Sequence, residues 1–345
     1  MKYKQLGRTG LYVSELCLGT MTWGDKGFWQ VIGQLGLDAV APQLKKAVDA
    51  GINFIDTADV YHEGEAETLF GQALRKTGIA RRELVIATKV RGRMGKGAND
   101  VGLSRKHVMD AIDASLARLG LDHVDLYQIH GFDPVTPLEE TLDALDDVVR
   151  SGKVRYVGFC NLPAWRVMKA LATSDSKGWA RFVSAQMYYS IAGRDIEREI
   201  APLAQEEGLA ILPWSPLAGG LLSGKFVEGQ AGPAGARRTQ FDFPLVDKKR
   251  AFACVEAMRP IAQAHGASVA RVALAYLLQK PLVTSVIIGA RTEAQLEDNL
   301  AATKLSLSQE QVAKLDEVSA LPAEYPGWML DFQQRDRFVD GAIKA

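Results

Sequence analysis

Short apolar runs alternate with longer amphipathic stretches along most of the chain, and the alternation can be counted. Runs at 16–18, 54–55, 84–88, 124–129, 154–159, 183–186, 209–213 and 285–288 have the length of buried strands. Between them, apolar residues recur at helical spacing over 42–50, 65–76, 105–119, 138–151, 164–172 and 196–207. Strands apolar on both faces belong to parallel sheets, and eight strand–helix units without a break in the alternation predict a closed (β/α)8 barrel, the TIM barrel, rather than an open doubly wound sheet.

Additions to that frame are also legible. The stretches YKQL, GRTG and LYVS predict an N-terminal β-hairpin. The loop after the seventh strand is enlarged: 215–246 is rich in glycine, and helices follow at 248–265 and 268–278. An extra C-terminal helix is expected over 308–319 with Ser308 as its N-cap. An aromatic tail carrying Tyr325, Trp328, Phe332 and Phe338 is expected to cover the barrel mouth. With no linker or shift in composition, residues 1–345 read as one domain.

Composition narrows the partners. The 345 residues are 47% hydrophobic and 24% charged, with 41 basic residues against 41 acidic. That balance gives no electrostatic argument for nucleic acid and favours a small-molecule partner. The clusters Arg81-Arg82, Arg237-Arg238 and Lys248-Lys249-Arg250 are too short for a groove-tracking stripe and read as solvated faces. Cys17, Cys160 and Cys254 are odd in number and far apart, which suits reduced thiols in a cytoplasmic protein. The five histidines show no metal-ligand spacing, so no metal is expected. An apolar leader core and a membrane-length apolar run are both lacking, and no membrane partner is expected.

Chemistry collects at the strand ends. Asp56, Tyr61, Lys89 and His130 stand at or just after successive apolar runs, so a barrel brings an acid, a phenol, an amine and an imidazole to one rim. A phenol donates a proton poorly at neutral pH unless its phenolate is stabilised, as a neighbouring ammonium does. Asp56 can hold Lys89 charged while His130 hydrogen-bonds a substrate oxygen, so the set can protonate a carbonyl. Taken singly, each residue has an ordinary reading as a helix cap, a core tyrosine or a solvated strand end. Asn161, Gln186 and Trp214 end the next strands and join the same mouth.

The stretches FIDTADVY, ATKV, DLYQIH, GFCN, PWSPLAGGLLSGK and VIIGARTEAQLEDN span nearly the whole chain, and with them it resembles the aldo-keto reductase superfamily. In motif style it is similar to the bacterial aldo/keto reductases and the potassium-channel beta-subunit-like branch. The resemblance implies NADPH-dependent reduction of an aldehyde or ketone, with Asp56, Tyr61, Lys89 and His130 as the catalytic tetrad and Tyr61 as proton donor. It implies that Asn161 and Gln186 bind the nicotinamide carboxamide and that Trp214 lies flat on the ring. Thr20, Asp56, Cys160, Ser215, Pro216, Leu217, Gly219 and Lys225 join the expected cofactor contacts. Gly289, Arg291, Gln295, Asp298 and Asn299 are expected at the adenosine end.

Physical reasoning adds to two of these segments. GGLLSGK fits most of the nucleotide-triphosphate loop pattern, but Phe226 stands where the metal-binding hydroxyl would be, so a dinucleotide pyrophosphate suits it better. The helix opened by GARTEAQLEDN offers an N-terminus to a phosphate, and Arg291 can bind a 2′-phosphate, which favours NADPH over NADH. The family pattern is departed from at Cys160 for a common serine, at Asp298 for a frequent glutamate and at Gly131 for a bulky residue, which widens the expected pocket. Its wall is expected to draw on Trp23, Phe28, Trp29, Phe132 and Trp328, favouring a hydrophobic or ring-bearing carbonyl compound. Two other readings compete: an NADP(H)-binding regulatory partner of the channel-subunit type, and an alcohol dehydrogenase working mainly in the oxidative direction.

Overall fold

The computed structural model describes residues 1–335. A hairpin of β1 (Tyr3–Gln5) and β2 (Tyr12–Ser14) precedes eight parallel strands. These are β3 (Leu16–Gly19), β4 (Phe54–Asp56), β5 (Val85–Val90), β6 (Val124–Ile129), β7 (Val154–Cys160), β8 (Phe182–Tyr188), β9 (Ala210–Trp214) and β10 (Val286–Ile288). From β3 to β9 each strand pairs with the next in sequence, and β10 pairs with β3. The remaining seam closes where Ile211 bridges Val283 and the Thr284 amide donates to the Ile211 carbonyl at 2.9 Å. The molecule is a (β/α)8 barrel, and every expected strand is present to within a few residues.

The interior changes character along each strand. Side chains two residues apart share a face, and the inward face runs from Phe54 to Asp56, from Val85 and Ala87 to Lys89, from Leu126 to Gln128 and from Leu212 to Trp214. The N-terminal half of the barrel is therefore an apolar plug and the C-terminal half is polar. The hairpin seals the apolar end with Leu6 and Val13, both fully buried, and the Arg8 amide donates to the Gly208 carbonyl at 2.9 Å. Gly7 makes this approach possible: its φ is +59°, and a Cβ there would meet the Val183 carbonyl oxygen at 2.5 Å.

The outer layer comprises α1 (Leu37–Asp49), α2 (Glu65–Thr77), α3 (Arg105–Leu119), α4 (Leu138–Arg150), α5 (Ala164–Lys177), α6 (Ile200–Glu207), α7 (Arg237–Gln240), α8 (Lys248–Ala264), α9 (Val269–Leu278), α10 (Glu293–Ala301) and α11 (Gln309–Val318). α1 starts a turn earlier than expected, with Pro42 inside it rather than at its first position. The stretch 196–207 divides into a 3₁₀ turn, Asp195–Glu197, and α6, the turn being held by the Arg194–Glu197 ion pair at 2.8 Å. Ser308 caps α11 in a full capping box with Gln311. Among the described residues, no helix is long and apolar enough to cross a membrane.

Two expectations need correction. Arg237-Arg238 is not a solvated face: Arg238 is buried and pins the enlarged loop by donating to the carbonyls of Ala218 at 2.7 Å and Pro244 at 3.1 Å, and it pairs with Asp242. The described part of the tail forms no packed aromatic cover. Trp328, Leu330 and Phe332 stand exposed on a final helix, α12 (Gly327–Arg335), and the segment before it is tethered by Arg198 to Glu324 at 2.9 Å. Phe338 lies outside the described residues.

Candidate active site

The polar end of the barrel is built around one ammonium group. Lys89 is fully buried, and its Nζ donates to Asp56 Oδ2 at 2.6 Å, to the Thr57 carbonyl at 2.8 Å and to Tyr61 Oη at 3.2 Å. Those bonds use every proton the ammonium has. Asp56 in turn accepts from Gln186 Nε2 at 2.8 Å and Gln128 Nε2 at 3.2 Å through Oδ1. A buried ion pair is favourable only when its remaining valences are satisfied, and here they are. Gln128 was not expected: it lies inside the run VDLYQI, and only its period-two relation to Leu126 marks it as inward-facing.

Tyr61 lies in a 3₁₀ turn, Tyr61–Gly64, whose next residues His62 and Glu63 take left-handed φ angles of 50° and 55°. Such strain in side-chain-bearing residues persists only where the surroundings enforce it. His62 is fully buried with Nε2 bonded to the Met21 carbonyl at 3.1 Å. On the other side, the Tyr61 ring meets Trp29 at 5.1 Å and His130 at 5.7 Å, both edge to face.

Burial raises the Tyr61 phenol to about 12; the nearby Lys89 charge opposes this but does not reverse it, and Asp56 adds to the rise. The net effect is opposite to the lowering that proximity to Lys89 alone suggests. Burial works against the Lys89 ammonium, yet Asp56 above all, with Tyr61 and Cys160, carries it upward, so it stays charged. Burial, then the charges of Lys89 and Arg91, push the His130 imidazole well below its usual value, so it is neutral at pH 7. Because Lys89 can only donate, it leaves the Tyr61 hydroxyl proton free to point elsewhere.

Around the mouth, Trp214 donates through Nε1 to Asn161 Oδ1 at 3.0 Å and lies between Tyr188, at 5.3 Å, and Phe243, nearly parallel at 5.7 Å. Asn161 takes φ 54°, at the exit of β7 whose last residue, Cys160, is buried with its thiol pushed up by burial. The enlarged loop reaches across: Phe241 stacks on Phe243 and meets Phe28 edge-on at 4.9 Å, and Phe28 abuts Trp29. Of the expected pocket wall, Phe28 and Trp29 therefore join Tyr61, and Phe132 follows His130 on the next loop. Trp23 is a correction, being fully buried core packed on Phe70, with Nε1 donating to Gln43 at 2.6 Å. Trp328 meets Tyr325, at 6.0 Å, on the exposed tail instead.

Beyond the mouth lies a set of cations: Lys225, Arg237 and Arg291. None has a carboxylate within ion-pair distance among the described residues. Burial, then Arg291, lowers the Lys225 pKa; burial, then Arg238 and Arg291, lowers that of Arg237 to about 10 against an opposing pull from Tyr61. Arg237 Nε is buried without a partner, a feature that sequence reading missed. Among the described residues, the Arg291 side chain bonds the Gly235 carbonyl alone, at 3.2 Å.

The turn into α10 is ordered by Gln295, whose Oε1 accepts from the Arg291 amide at 2.8 Å, and by Asn299, whose Nδ2 donates to the Gly289 carbonyl at 3.1 Å. Gly289 leaves open space, the nearest atom to an added Cβ being 4.0 Å away. Asp298 instead is engaged by Arg271 at 2.7 Å and by Ser268. Ser215 accepts the Gly219 amide at 3.0 Å beside Pro216 and Leu217, and a Cβ on Gly219 would strike the Phe243 carbonyl at 2.6 Å. Thr20 Oγ1 is buried without a partner at the end of β3. Among the described residues, no group of three or more His, Cys, Asp or Glu side chains is arranged to hold a metal ion.

Residues 15–320 match the Aldo/keto reductase family. Among curated relatives, the Bacillus subtilis protein named "Uncharacterized oxidoreductase YrpG" is 37% identical, the match covering 92% of this chain and 96% of that one. "Versiconal hemiacetal acetate reductase" of Aspergillus parasiticus is 34% identical over 95% of this chain and 99% of its own. "Probable voltage-gated potassium channel subunit beta" of Oryza sativa subsp. japonica is 36% identical over 92% and 96%.

Proposed function

The chain belongs to the aldo/keto reductase family, and on that premise we propose that it is an NADPH-dependent oxidoreductase reducing an aldehyde or ketone to an alcohol. The observation that carries the reading is the use of all three Lys89 protons toward Asp56, Thr57 and Tyr61, which leaves the phenol proton of Tyr61 available to a substrate oxygen. A neutral His130 can donate its ring N–H to that oxygen and set its angle, but without the imidazolium proton it is not an acid at pH 7. Tyr61 is therefore the donor and His130 the positioning group. Proton transfer leaves a phenolate 3.2 Å from a permanent ammonium, which stabilises it.

The residues present fit a phosphorylated dinucleotide. Mutually repelling cations at Lys225, Arg237 and Arg291 suit polyanionic phosphates, the open backbone at Gly289 allows close approach, and the orphan hydroxyl of Thr20 offers a hydrogen bond near Asp56. Asn161, Gln186 and Trp214 would hold the nicotinamide end, and Arg291 with Gln295 and Asn299 the adenosine end. The bound cofactor supplies the hydride, and the chain supplies the proton, the orientation and the exclusion of water. Tryptophan-fluorescence titration with NADPH and NADH, followed by loss of reduced-nicotinamide absorbance on a panel of aldehydes, ketones and quinones, tests the reading. Tight NADPH binding with turnover is expected; no turnover on any carbonyl overturns it.

A further inference from the structure

We propose that the preferred carbonyl substrate carries a carboxylate, bound at the rim by the guanidinium of Arg91 with that of Arg166 beside it. The inference rests on the reading that Tyr61 and His130 receive the carbonyl oxygen. Arg91 follows the last residue of β5, two positions after Lys89, and has a φ of +140°, a strained value for any residue with a side chain. Glycine would adopt that conformation freely, so the arginine needs an explanation in its side chain. Its Nε donates to the Phe132 carbonyl at 2.9 Å, which holds the guanidinium against the loop that begins with His130. The terminal amino groups then face outward with no protein partner among the described residues, and that edge is the one that grips a carboxylate bidentately.

Arg166 approaches the same residue from the other side. Its guanidinium lies over the Phe132 ring, 4.2 Å from the centroid, and among the described residues its one hydrogen bond goes to the backbone carbonyl of Asp133 at 3.4 Å. Two acids lie nearby, but the Asp133 carboxylate is committed to the Leu103 amide at 2.6 Å, the Val135 amide at 2.8 Å and the Thr136 hydroxyl at 2.8 Å, and Glu139, which feels the Arg166 charge, is paired with Lys169 at 2.9 Å. Neither forms an ion pair with Arg91 or Arg166 among the described residues. Between His130 and Phe132, Gly131 leaves room, with no atom within 4 Å of an added Cβ. The Arg91 charge also acts on His130 itself. Two guanidiniums with no carboxylate partner among the described residues therefore meet at Phe132, next to the open space at Gly131 and the group that positions the carbonyl, an arrangement suited to an aldehyde or keto acid.

The test compares 4-formylbenzoate with its neutral methyl ester as substrates of the NADPH-loaded protein. Wild type is expected to show a KM roughly three- to tenfold lower for the acid, a modest factor because the site is open to solvent. The preference should shrink as ionic strength rises. In Arg91→Ala the acid-to-ester ratio of kcat/KM is expected to fall to about one, while Arg91→Lys, which keeps the charge without the fork, retains part of it. The ratio is read within one protein sample, so a partly unfolded variant does not distort it. Equal kcat/KM for acid and ester in wild type, or an acid preference that survives Arg91→Ala, overturns the proposal alone. Turnover of neither substrate nor any other carbonyl overturns the reductase reading and this inference with it.

Discussion

Lys89 is fully buried and Arg237 half-buried, yet the first is saturated and the second is not. Lys89 spends every proton on Asp56, Thr57 and Tyr61, and its counter-ion is itself held by Gln186 and Gln128. Arg237 has a buried Nε with no partner and shares its surroundings with Arg238 and Arg291, charges of its own sign. The Lys89–Asp56 pair at the floor of the barrel is satisfied within the chain, whereas on the proposed function the loop side is completed by an anion. On the proposed function, preassembled groups at the floor would lower a barrier because they need no reorganisation, and uncompensated groups at the rim would contribute affinity.

The sharpest break between the two regions should come from single-atom changes at the floor. Tyr61→Phe removes the proposed proton donor and leaves the ring between Trp29 and His130. Its kcat is expected to fall by about 10²- to 10⁴-fold, with NADPH affinity by fluorescence titration nearly unchanged. Near-wild-type turnover would show that proton donation lies elsewhere. Because His130 is already neutral and the Tyr61 phenol sits at about 12, wild-type reduction should show no step near the usual histidine value of 6.5.

Lys89→Met tests the finished floor through stability. It strands the Asp56 carboxylate, 2% exposed, without its cation. A loss of about 3–5 kcal/mol in denaturant unfolding is expected. A loss below about 1 kcal/mol would mean that the two glutamines alone satisfy Asp56.

The rim should respond in binding and hardly at all in folding. Arg291→Ala is expected to weaken NADPH by roughly tenfold and NADH much less, since only NADPH carries the 2′-phosphate. Equal losses would remove the 2′-phosphate role. The same contrast predicts that millimolar inorganic phosphate raises the melting temperature of wild type, and does so less in Lys225→Ala, because relief of like-charge repulsion is linked to folding.

The floor was largely legible in the sequence and the rim was not, for a physical reason. A polar residue that ends an apolar run declares itself, and period-two alternation fixes which way it points, so Asp56, Lys89, Gln186 and Trp214 could be placed from the strands alone. Gln128 escaped because it stands inside a run rather than at its end. Arg237 and Arg238 sit in a loop whose path is set by where it meets the barrel, at Ala218 and Pro244, and no local pattern encodes that meeting. Trp23 was misplaced for a related reason: aromatic composition suggests a pocket wall, but a tryptophan whose Nε1 finds Gln43 can be wholly interior.

One buried charge belongs to neither class, and it supplies the finest test. Asp59, fully buried between Asp56 and Tyr61 in sequence, has two carboxyl oxygens without a full hydrogen bond among the described residues. Its neighbour Glu67 takes both available donors, Thr88 Oγ1 at 2.5 Å and Arg118 Nε at 2.6 Å. Burial, then Glu67, raises the Asp59 pKa well above 3.8; the Val60 amide, Arg118 and Lys89 oppose the rise, and the buried Tyr127 phenol faces the same group. A folded-state value raised above the unfolded one means that the folded protein holds an extra proton, so stability declines as pH rises beyond the unfolded value of 3.8. The slope from this group is at most about 1.4 kcal/mol per pH unit. Asp59→Asn cannot ionise, so subtracting its stability curve from that of wild type should isolate a difference that grows against wild type with pH until the Asp59 proton is lost. A flat difference between about pH 4 and pH 8 would mean that Asp59 is charged in the fold and has found a cation, which would move it into the same finished floor as Lys89.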